Sequence, residues 1–161
     1  MTSDGPRRPP GVLVRLSEQA DLDTLFPIYC EVMREYVTQT YGAWDEAEQH
    51  RAYFEGFPVG RAQVILHGYD IAGAIDCQRH RDRWTINNIE IAPEFQNLGI
   101  GTWLITRLLQ QAHGEGVPVD LEVLKVNLGA RRLYERLGFT VTGQTDTHWQ
   151  MRSTTPPAAD Q

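Results

Sequence analysis

Apolar residues along the chain follow two periodicities, one typical of strands and one typical of helices. Short apolar runs bounded by turn residues predict strands, and apolar positions at three- and four-residue steps predict helices. The predicted strands cover residues 12–16, 63–67, 71–79, 84–92, 117–124, 139–142 and 148–152, and the predicted helices cover residues 20–37, 45–56, 99–113 and 127–137. This order indicates a mixed α/β domain built around one sheet.

Single residues decide three details of this pattern. Pro27 interrupts the first helix, so we expect a kink or a later helix start there. Gly68, Tyr69 and Asp70 form a turn between two strands, which predicts a hairpin. Pro93 ends the long strand that starts at Trp84, because proline has no N–H group to donate to a neighbouring strand.

Composition narrows the class of protein. The 161 residues have the usual length of one domain, and the formal net charge is -6. An acidic surface counts against nucleic acid or an anionic membrane as the partner. Cys30 and Cys77 are far apart in the sequence, and we interpret both as reduced thiols of a cytoplasmic protein. No apolar run approaches the ~20 residues of a membrane span.

The two ends of the chain differ from its middle. Residues 1–11 and 153–161 are rich in Pro, Ser, Thr, Ala and Gly, so we expect two disordered tails around one domain at residues 12–152. The histidines and cysteines have no spacing typical of metal ligands, and no metal site is predicted.

The segment from Gln96 to Thr102 has the composition of a phosphate-binding turn. It follows a predicted strand, opens a predicted helix and contains Gly99 and Gly101. Free N–H groups at a helix start, together with the helix dipole, bind phosphate or pyrophosphate. Thr102 stands where a P-loop needs lysine, and Leu104 stands where a dinucleotide fingerprint needs a third glycine. The alternative is a plain strand-to-helix turn.

Two segments together carry a family resemblance. Residues 89–102, Ile-Glu-Ile-Ala-Pro-Glu-Phe-Gln-Asn-Leu-Gly-Ile-Gly-Thr, closely resemble the acetyl-CoA motif of the GNAT superfamily of N-acetyltransferases. Residues 127–139, Asn-Leu-Gly-Ala-Arg-Arg-Leu-Tyr-Glu-Arg-Leu-Gly-Phe, resemble the second signature of that superfamily. The motifs stand in the order and at the separation that the family uses, and the strand–helix order extends the resemblance over about residues 12–152.

The resemblance implies a fold and a donor. The fold would be a three-layer α/β domain with a mixed, mostly antiparallel sheet and a splay between the fourth and fifth strands. Acetyl-CoA would lie along the fourth strand, with its pyrophosphate on the amides of the glycine-containing turn and its pantetheine bonded to Asn127. The implied acetyl-CoA-binding residues are Ile89, Glu90, Ile91, Gln96, Asn97, Leu98, Gly99, Ile100, Gly101, Thr102, Asn127 and Tyr134.

The resemblance also implies catalytic residues. Tyr134 would protonate the departing CoA thiolate, and it lies two helical turns after Asn127, so both side chains project the same way. Glu90 in the fourth strand and Glu122 in the fifth are both candidates for the group that takes the proton from the amine. The alternatives are a core role for Tyr134 and ion pairs with nearby Arg or Lys for the two glutamates.

Three further residues are candidates for the acceptor site. Tyr29 and Trp44 fall in the region that forms part of the acceptor pocket in this family, and His148 falls on the last strand. Core packing is the alternative for Tyr29, and a surface position is the alternative for His148.

The predicted function is transfer of the acetyl group of acetyl-CoA to a primary amine within a ternary complex. The acceptor would be a small amine or a peptide N-terminus, without nucleic acid or membrane, and the protein would be a monomer or a homodimer. One alternative is a non-catalytic module that senses acyl-CoA, and another is an enzyme that binds nucleotide phosphates. A closed acidic or aromatic pocket would favour the small amine, and an open groove would favour the peptide.

Overall fold

The computed structural model describes residues 5–154 as one sheet between two pairs of helices. The parts of the predicted tails at residues 1–4 and 155–161 lie outside the described residues. The strands are β1 (Val12–Leu16), β2 (Gln63–His67), β3 (Asp70–Arg79), β4 (Trp84–Ile91), β5 (Val119–Leu124), β6 (Thr140–Gln144) and β7 (His148–Ser153). The helices are α1 (Leu22–Tyr41), α2 (Glu46–Gly56), α3 (Ile100–Gly114) and α4 (Leu128–Arg136).

The sheet has seven strands in the order β1-β2-β3-β4-β5-β7-β6. β4 and β5 pair in parallel, and the other neighbouring strands of the described chain pair antiparallel. This arrangement confirms the predicted mixed, mostly antiparallel sheet. The parallel pair needs a crossover, which α3 supplies.

The splay predicted between the fourth and fifth strands is confirmed by the pairing register. β4 and β5 pair at Trp84↔Val119, Thr85↔Asp120 and Ile86↔Leu121. Beyond this point β4 continues to Ile91 and β5 to Leu124 without pairing to each other. The diverging strand ends leave backbone N–H and C=O groups available to another molecule.

The helices cover the two faces of the sheet unequally. On one face, Leu25 of α1 packs with Val64 and Ala74, and aromatic residues of α2 cover the same region. On the other face, α3 and α4 pack over the core that includes Trp84 and Val119. The α1/α2 pair lies over β2, β3 and β4, so polar side chains of β5, β7 and β6 stay uncovered on that face.

A β-bulge in β4 sets which side chains reach each face. Asn88 pairs with Asp76 and Ile86 pairs with Cys77, so Asn87 is the extra residue. The extra residue shifts the strand alternation by one position, and Ile86 and Ile89 therefore both pack on the α3/α4 side. Glu90 consequently lies on the α1/α2 side. In the sequence Trp-Thr-Ile-Asn-Asn-Ile-Glu-Ile, the apolar positions change phase at the bulge. A prediction that assumes a regular strand overlooks this change.

The first helix differs from its prediction. Pro27 lies inside α1 and does not delay its start, which is at Leu22. The helix continues past residue 37 to Tyr41, where Gly42 ends it in a left-handed conformation with φ of 85°. The proline removes one backbone N–H donor from the helix. Burial of apolar side chains compensates for this loss, and these include Leu22, Leu25, Phe26 and Val37. Tertiary packing therefore outweighs the local cost of the proline.

Candidate functional site

A cleft of about 510 Å³ opens where β4 and β5 diverge. Its walls come from β4, the following loop, the first turn of α3 and α4, and α1 contributes from the opposite face of the sheet. Since elements from both faces line it, the cleft passes through the sheet at the splay. The residues predicted from the sequence that line it are Ile89, Ile91, Gln96, Asn97, Gly99, Ile100, Gly101, Thr102, Asn127 and Tyr134.

The loop between β4 and α3 has the backbone of an anion site. Asn97 and Gly99 are both left-handed, with φ of 62° and 82°. The first helical bond of α3 runs from the Trp103 N–H to the Gly99 carbonyl at 3.0 Å, and no side chain caps this end of α3. The N–H groups of the first turn are thus without helical partners, and the helix dipole adds partial positive charge.

The two glycines of the motif act differently. Gly99 needs its left-handed backbone conformation, which other residues rarely adopt. A Cβ at Gly101 would meet Ile91 Cδ1 at 3.5 Å and Leu133 Cδ2 at 3.7 Å, which are ordinary contacts. Packing within the protein therefore does not require glycine at position 101. Its missing side chain leaves space inside the cleft.

Two other residues of the motif have surroundings that the sequence did not predict. The Gln96 Nε2 donates a hydrogen bond of 2.8 Å to the Ile91 carbonyl, which ties the loop to the end of β4. Leu98 is 49% exposed and is absent from the cleft walls. Gln96 therefore shapes the loop as well as lining the cleft.

Asn127 lies across the cleft and caps α4. Its Oδ1 accepts a hydrogen bond of 3.1 Å from the Ala130 N–H, which satisfies one free donor at the helix start. Capping uses the oxygen of the carboxamide and leaves its Nδ2 as a donor. The residue thus fixes the start of α4 with one end of its amide and offers the other end to the cleft.

Tyr134 lies deeper in the same cleft. It is 7% exposed, and its ring packs edge-on against Phe139 with centroids 5.8 Å apart. Burial raises the pKa of the Tyr134 phenol to about 12, so the hydroxyl stays protonated across the neutral range. The ring therefore belongs to the core and also lines the cleft, and its catalytic role stays a prediction.

Glu90 is the most deeply buried carboxyl group of the region, at 2% exposure. It lies on the opposite face of β4 from Ile89 and Ile91 and is not among the residues that line the cleft. Burial raises the pKa of the Glu90 carboxyl to about 7, and a hydrogen bond from the Asn88 Nδ2 opposes that rise. A carboxyl group with this pKa exchanges protons readily at neutral pH.

Glu122 has a different environment from Glu90. It is exposed on β5 and accepts a hydrogen bond of 3.3 Å from Gln150. It lines an open groove of about 550 Å³ on the sheet face that α1 and α2 leave uncovered. Asp120 lines the same groove and forms a two-point ion pair with Arg152 at 2.6 and 2.8 Å.

Tyr29 belongs to a cluster of aromatic rings between α1 and α2. Its ring lies 5.0 Å from Tyr53 and 5.8 Å from Trp44, and its hydroxyl donates to Gln49 at 2.8 Å. Burial, with the nearby Glu90 charge, raises the pKa of Tyr29 to about 12. Tyr29 and Tyr53 line a third pocket of about 330 Å³, whose floor includes Asn88 on β4. Trp44 packs behind Tyr29 and is not among the residues of that pocket wall.

His148 starts β7 and pairs with Leu124, the last residue of β5. The pairing places it at the end of the sheet where β5 has left β4. Its Nδ1 lies 2.7 Å from the Thr147 hydroxyl, and the side chain is half-buried.

Some cleft residues were not predicted from the sequence. Val32 and Tyr36 reach the cleft from α1, and Phe95 reaches it from the turn after β4. Arg132 and Arg136 line it from α4 and bring positive charge near the start of α3. These two arginines are four residues apart in the sequence, so their spacing alone predicts that they share one face of the helix.

A comparison of the chain with protein families identifies its relationship. Residues 29–139 match the Acetyltransferase (GNAT) family, which is more than half of the chain. The chain belongs to the GNAT family. This result confirms the family resemblance seen in the two sequence motifs, both of which lie within the matched residues.

Curated relatives of this GNAT protein share part of its length. A [Ribosomal protein bS18]-alanine N-acetyltransferase from Haemophilus influenzae is 38% identical over 47% of this chain and 51% of the relative. The Salmonella typhimurium enzyme of the same name is 41% identical over 36% of this chain and 40% of the relative. The chain thus matches about half the length of these relatives, or less.

Solved structures support the fold. The PaiA N-acetyltransferase of Thermoplasma acidophilum in complex with coenzyme A has a TM-score of 0.71 and 18% identity, covering 89% of this chain and 98% of that one. The ribosomal-protein-S18-alanine N-acetyltransferase of Escherichia coli has a TM-score of 0.62 and 23% identity, covering 92% and 97%. At these identities the match concerns the fold.

Neither a metal centre nor a membrane-spanning helix is found in the part of the chain that the structure describes. Within residues 5–154, no group of three His, Cys, Asp or Glu side chains is arranged to hold a metal ion. Over the same residues, no helix is both long and apolar enough to cross a membrane.

Proposed function

We propose that this GNAT protein transfers the acetyl group of acetyl-CoA to the N-terminal amine of a polypeptide. The observation that carries the proposal is the cleft through the sheet at the splay, which has an anion site on the α3/α4 side, while a separate polar groove lies on the α1/α2 side. A donor held on the α3/α4 side would present its acetyl group to an acceptor on the α1/α2 side. Such a cleft keeps donor and acceptor apart until they meet at the reacting atoms.

Backbone groups and three side chains would hold acetyl-CoA. The free N–H groups at the start of α3 would bind the pyrophosphate, and Arg132 and Arg136 would add positive charge for the phosphates. The open space at Gly101 lets the phosphate approach the backbone. The Asn127 Nδ2 would donate to the pantetheine arm beside the unpaired end of β4.

The reaction needs two proton transfers from the nitrogen. Glu90 accepts the first, from the ammonium group, and passes it to solvent. The free amine then forms the new N–C bond to the thioester carbonyl, whose oxygen a backbone N–H near Ile91 polarises. As the C–S bond breaks, Tyr134 gives its proton to the sulfur, and the nitrogen returns its second proton to the Tyr134 oxygen. The products are an amide, free CoA and one proton.

Glu122 has a secondary part in this proposal. Its exposed carboxylate stands at the head of the open groove, where it would attract and orient the cationic amine. Glu90 is the better proton acceptor because burial raises its pKa to about 7, close to neutral pH.

Two features support a polypeptide as the acceptor. The groove beside Glu122 is open and polar, and side chains of β5, β7 and β6 line it, so it suits an extended chain with its own polar backbone. The curated relatives act on an alanine of a ribosomal protein, as their names state. Such an acceptor occurs in the cytoplasm, which is where we place this enzyme.

The aromatic pocket favours a second candidate, a small amine. Tyr29 and Tyr53 line a pocket of about 330 Å³ whose floor includes Asn88, the hydrogen-bond partner of Glu90. Aromatic faces attract cations, so this pocket suits a small amine that carries an apolar or aromatic group.

A matched acceptor panel tests the proposal. Purified protein and acetyl-CoA are incubated with peptides that have a free N-terminus, with the same peptides blocked at the N-terminus, and with small amines such as aryl-ethylamines and polyamines. We expect mass spectrometry to find one acetyl group on the free peptides and none on the blocked ones. Acetylation of the small amines alone would replace the first candidate with the second. Acetyl-CoA binding without turnover of any amine would favour a sensor module.

A further inference from the structure

Asn88 contacts the buried Glu90 from the same strand. Both residues lie on the α1/α2 side of β4, two positions apart, and the Asn88 Nδ2 donates a hydrogen bond to the Glu90 Oε1. Residues two positions apart in a strand share a face, and the bulge at Asn87 puts this pair on the face opposite Trp84 and Ile86. Asn88 also lines the pocket that Tyr29 lines, so it contacts both Glu90 and the space open to an acceptor.

Few other groups act on the Glu90 carboxyl. The titratable groups that face it are Tyr29 and Cys30 of α1 and Tyr53 of α2, and burial raises the pKa of all three. They are therefore uncharged at neutral pH. On β3, the residue opposite Glu90 is Ala74, which has no polar side chain. Within residues 5–154, no cation is close enough to shift the pKa of Glu90, so burial favours its neutral form and Asn88 opposes that preference.

The backbone around Glu90 is also fixed. A Cβ at Gly73 of β3 would lie 1.8 Å from the Glu90 carbonyl oxygen, so β3 approaches Glu90 as closely as a glycine allows. Asn87 is held separately, because its Nδ2 donates to Asp76 at 3.1 Å, and Asp76 is paired with Arg61. The Glu90 side chain thus has a rigid base, and Asn88 is the polar side chain that bonds to its carboxyl group.

We infer that Asn88 is a positioning residue that orients the Glu90 carboxylate toward the acceptor and stabilises its ionised form. This inference rests on the proposed function, in which Glu90 takes the proton from the amine. A carboxamide suits the task because its N–H can donate to the carboxylate and its C=O can accept from the protonated acid after a flip. Asn88 can therefore stay bonded to Glu90 before and after the proton moves.

The test uses two substitutions of Asn88. Asn88→Leu keeps the approximate size and removes the donor, and Asn88→Gln keeps the donor. Losing a hydrogen bond to a charged group should raise the Glu90 pKa by about one to two units. We expect the Glu90 carboxyl carbon, followed by NMR in the absence of substrate, to titrate higher in Asn88→Leu by that amount. The acid limb of kcat/KM against pH should move with it, and Asn88→Gln should restore both midpoints toward wild type.

Asn87→Leu is the matched control. It removes an equivalent amide from the same bulge, but that amide contacts Asp76 and Gln78 and not Glu90. We expect its Glu90 titration to stay at the wild-type midpoint. Circular dichroism on all three variants checks that the sheet is retained.

Three results would overturn the inference. The first is an unchanged Glu90 titration in Asn88→Leu, and the second is an equal shift in Asn87→Leu, which would assign the effect to the bulge. The third is a rate profile that stays in place while the carboxyl group titrates higher, which would show that Asn88 does not act on the reaction. A wild-type chain that acetylates no amine would refute the proposed function instead, and the NMR titration would still decide whether Asn88 controls Glu90.

Discussion

The two faces of the sheet are built by different means. On the α3/α4 face, the candidate donor site consists largely of backbone: left-handed residues at Asn97 and Gly99, free N–H groups, and unpaired strand ends. On the α1/α2 face, the candidate acceptor site consists of side chains, among them Glu90, Glu122 and the ring of Tyr29.

This difference has a physical reason and a consequence. Backbone groups bind phosphate in the same way in any chain that adopts the required turn, so a short motif is enough to specify the donor site. Side chains that meet from separate elements have no such motif, and each one can change without altering the sheet. We therefore expect substitutions on the first face to affect donor binding, and substitutions on the second face to affect acceptor choice, proton transfer and stability.

The largest expected effect is the loss of donor binding in Gly101→Glu. A Cβ at position 101 makes only ordinary contacts, and the glutamate side chain would bring a carboxylate to the place where the phosphates would lie. We expect the Kd for acetyl-CoA to rise about a thousandfold, because several charge-assisted hydrogen bonds are lost together. Calorimetry measures this change. The control is Gly114→Glu at the other end of α3, where a Cβ has open space, and its binding should match wild type.

On the α3/α4 face, Tyr134→Phe should change the catalytic rate without changing donor binding. The ring stays in the core, and the proton donor is removed. We expect kcat to fall about a hundredfold with little change in the Kd for acetyl-CoA. Steady-state kinetics and calorimetry give the two numbers. Tyr69→Phe, at a fully exposed position, should behave as wild type, and a parallel rise in Kd for Tyr134→Phe would contradict the assigned role.

On the α1/α2 face, Glu90→Gln should change the pH dependence of the free energy of unfolding. The folded-state pKa of Glu90, about 7, exceeds its ordinary value of 4.5, so burial favours the neutral form and wild type loses stability as the pH rises through 7. Glutamine carries no such cost. We expect the variant to be more stable than wild type at pH 8 by at most about 3 kcal/mol, and to gain nothing near pH 4.

Urea denaturation at both pH values measures this difference, and Glu94→Gln at an exposed position is the control. The same Glu90→Gln variant should lose activity at every pH. Equal stability of variant and wild type at pH 8 would mean that burial does not raise the pKa of Glu90.

Arg132→Ala has the smallest expected effect. Arg132 lines the cleft from an exposed position, so solvent screens its attraction for the phosphates. We expect the Kd for CoA to rise about threefold to tenfold, with a weaker dependence on salt. Arg131→Ala is the matched control because Arg131 pairs with Glu135 at 2.7 Å and lies outside the cleft wall. An identical rise in both variants would assign the effect to net charge.

Local signals account for the features that the sequence predicted. The strand and helix order followed from periodicity, and the turn before α3 followed from Gly99 and Gly101 after a strand. The Asn127-to-Tyr134 spacing placed two cleft residues on one helix face. Each of these depends on residues within two helical turns of each other, which is the distance over which a sequence pattern reports geometry.

Features that join distant segments were not predicted. Pro27 predicted a kink or a later start, yet α1 starts before it at Leu22, because contacts with other elements stabilise the helix. The bulge at Asn87 placed Glu90 on the acceptor face, and Leu98 proved exposed although it lies within the motif. Val32, Tyr36 and Arg132 reached the cleft from helices whose placement no local pattern specifies.

The sequence by itself determined the family, the order of the elements and the glycine-containing turn before α3, because each is set by short-range periodicity and backbone geometry. The tertiary structure alone decided which carboxyl group is buried. Glu90 and Glu122 are equivalent in the sequence, yet one is 2% exposed beneath α1 and the other is open to solvent on β5. The cause is that α1 and α2 cover β4 and leave β5 bare, and removal from water is what changes the acidity of a carboxyl group.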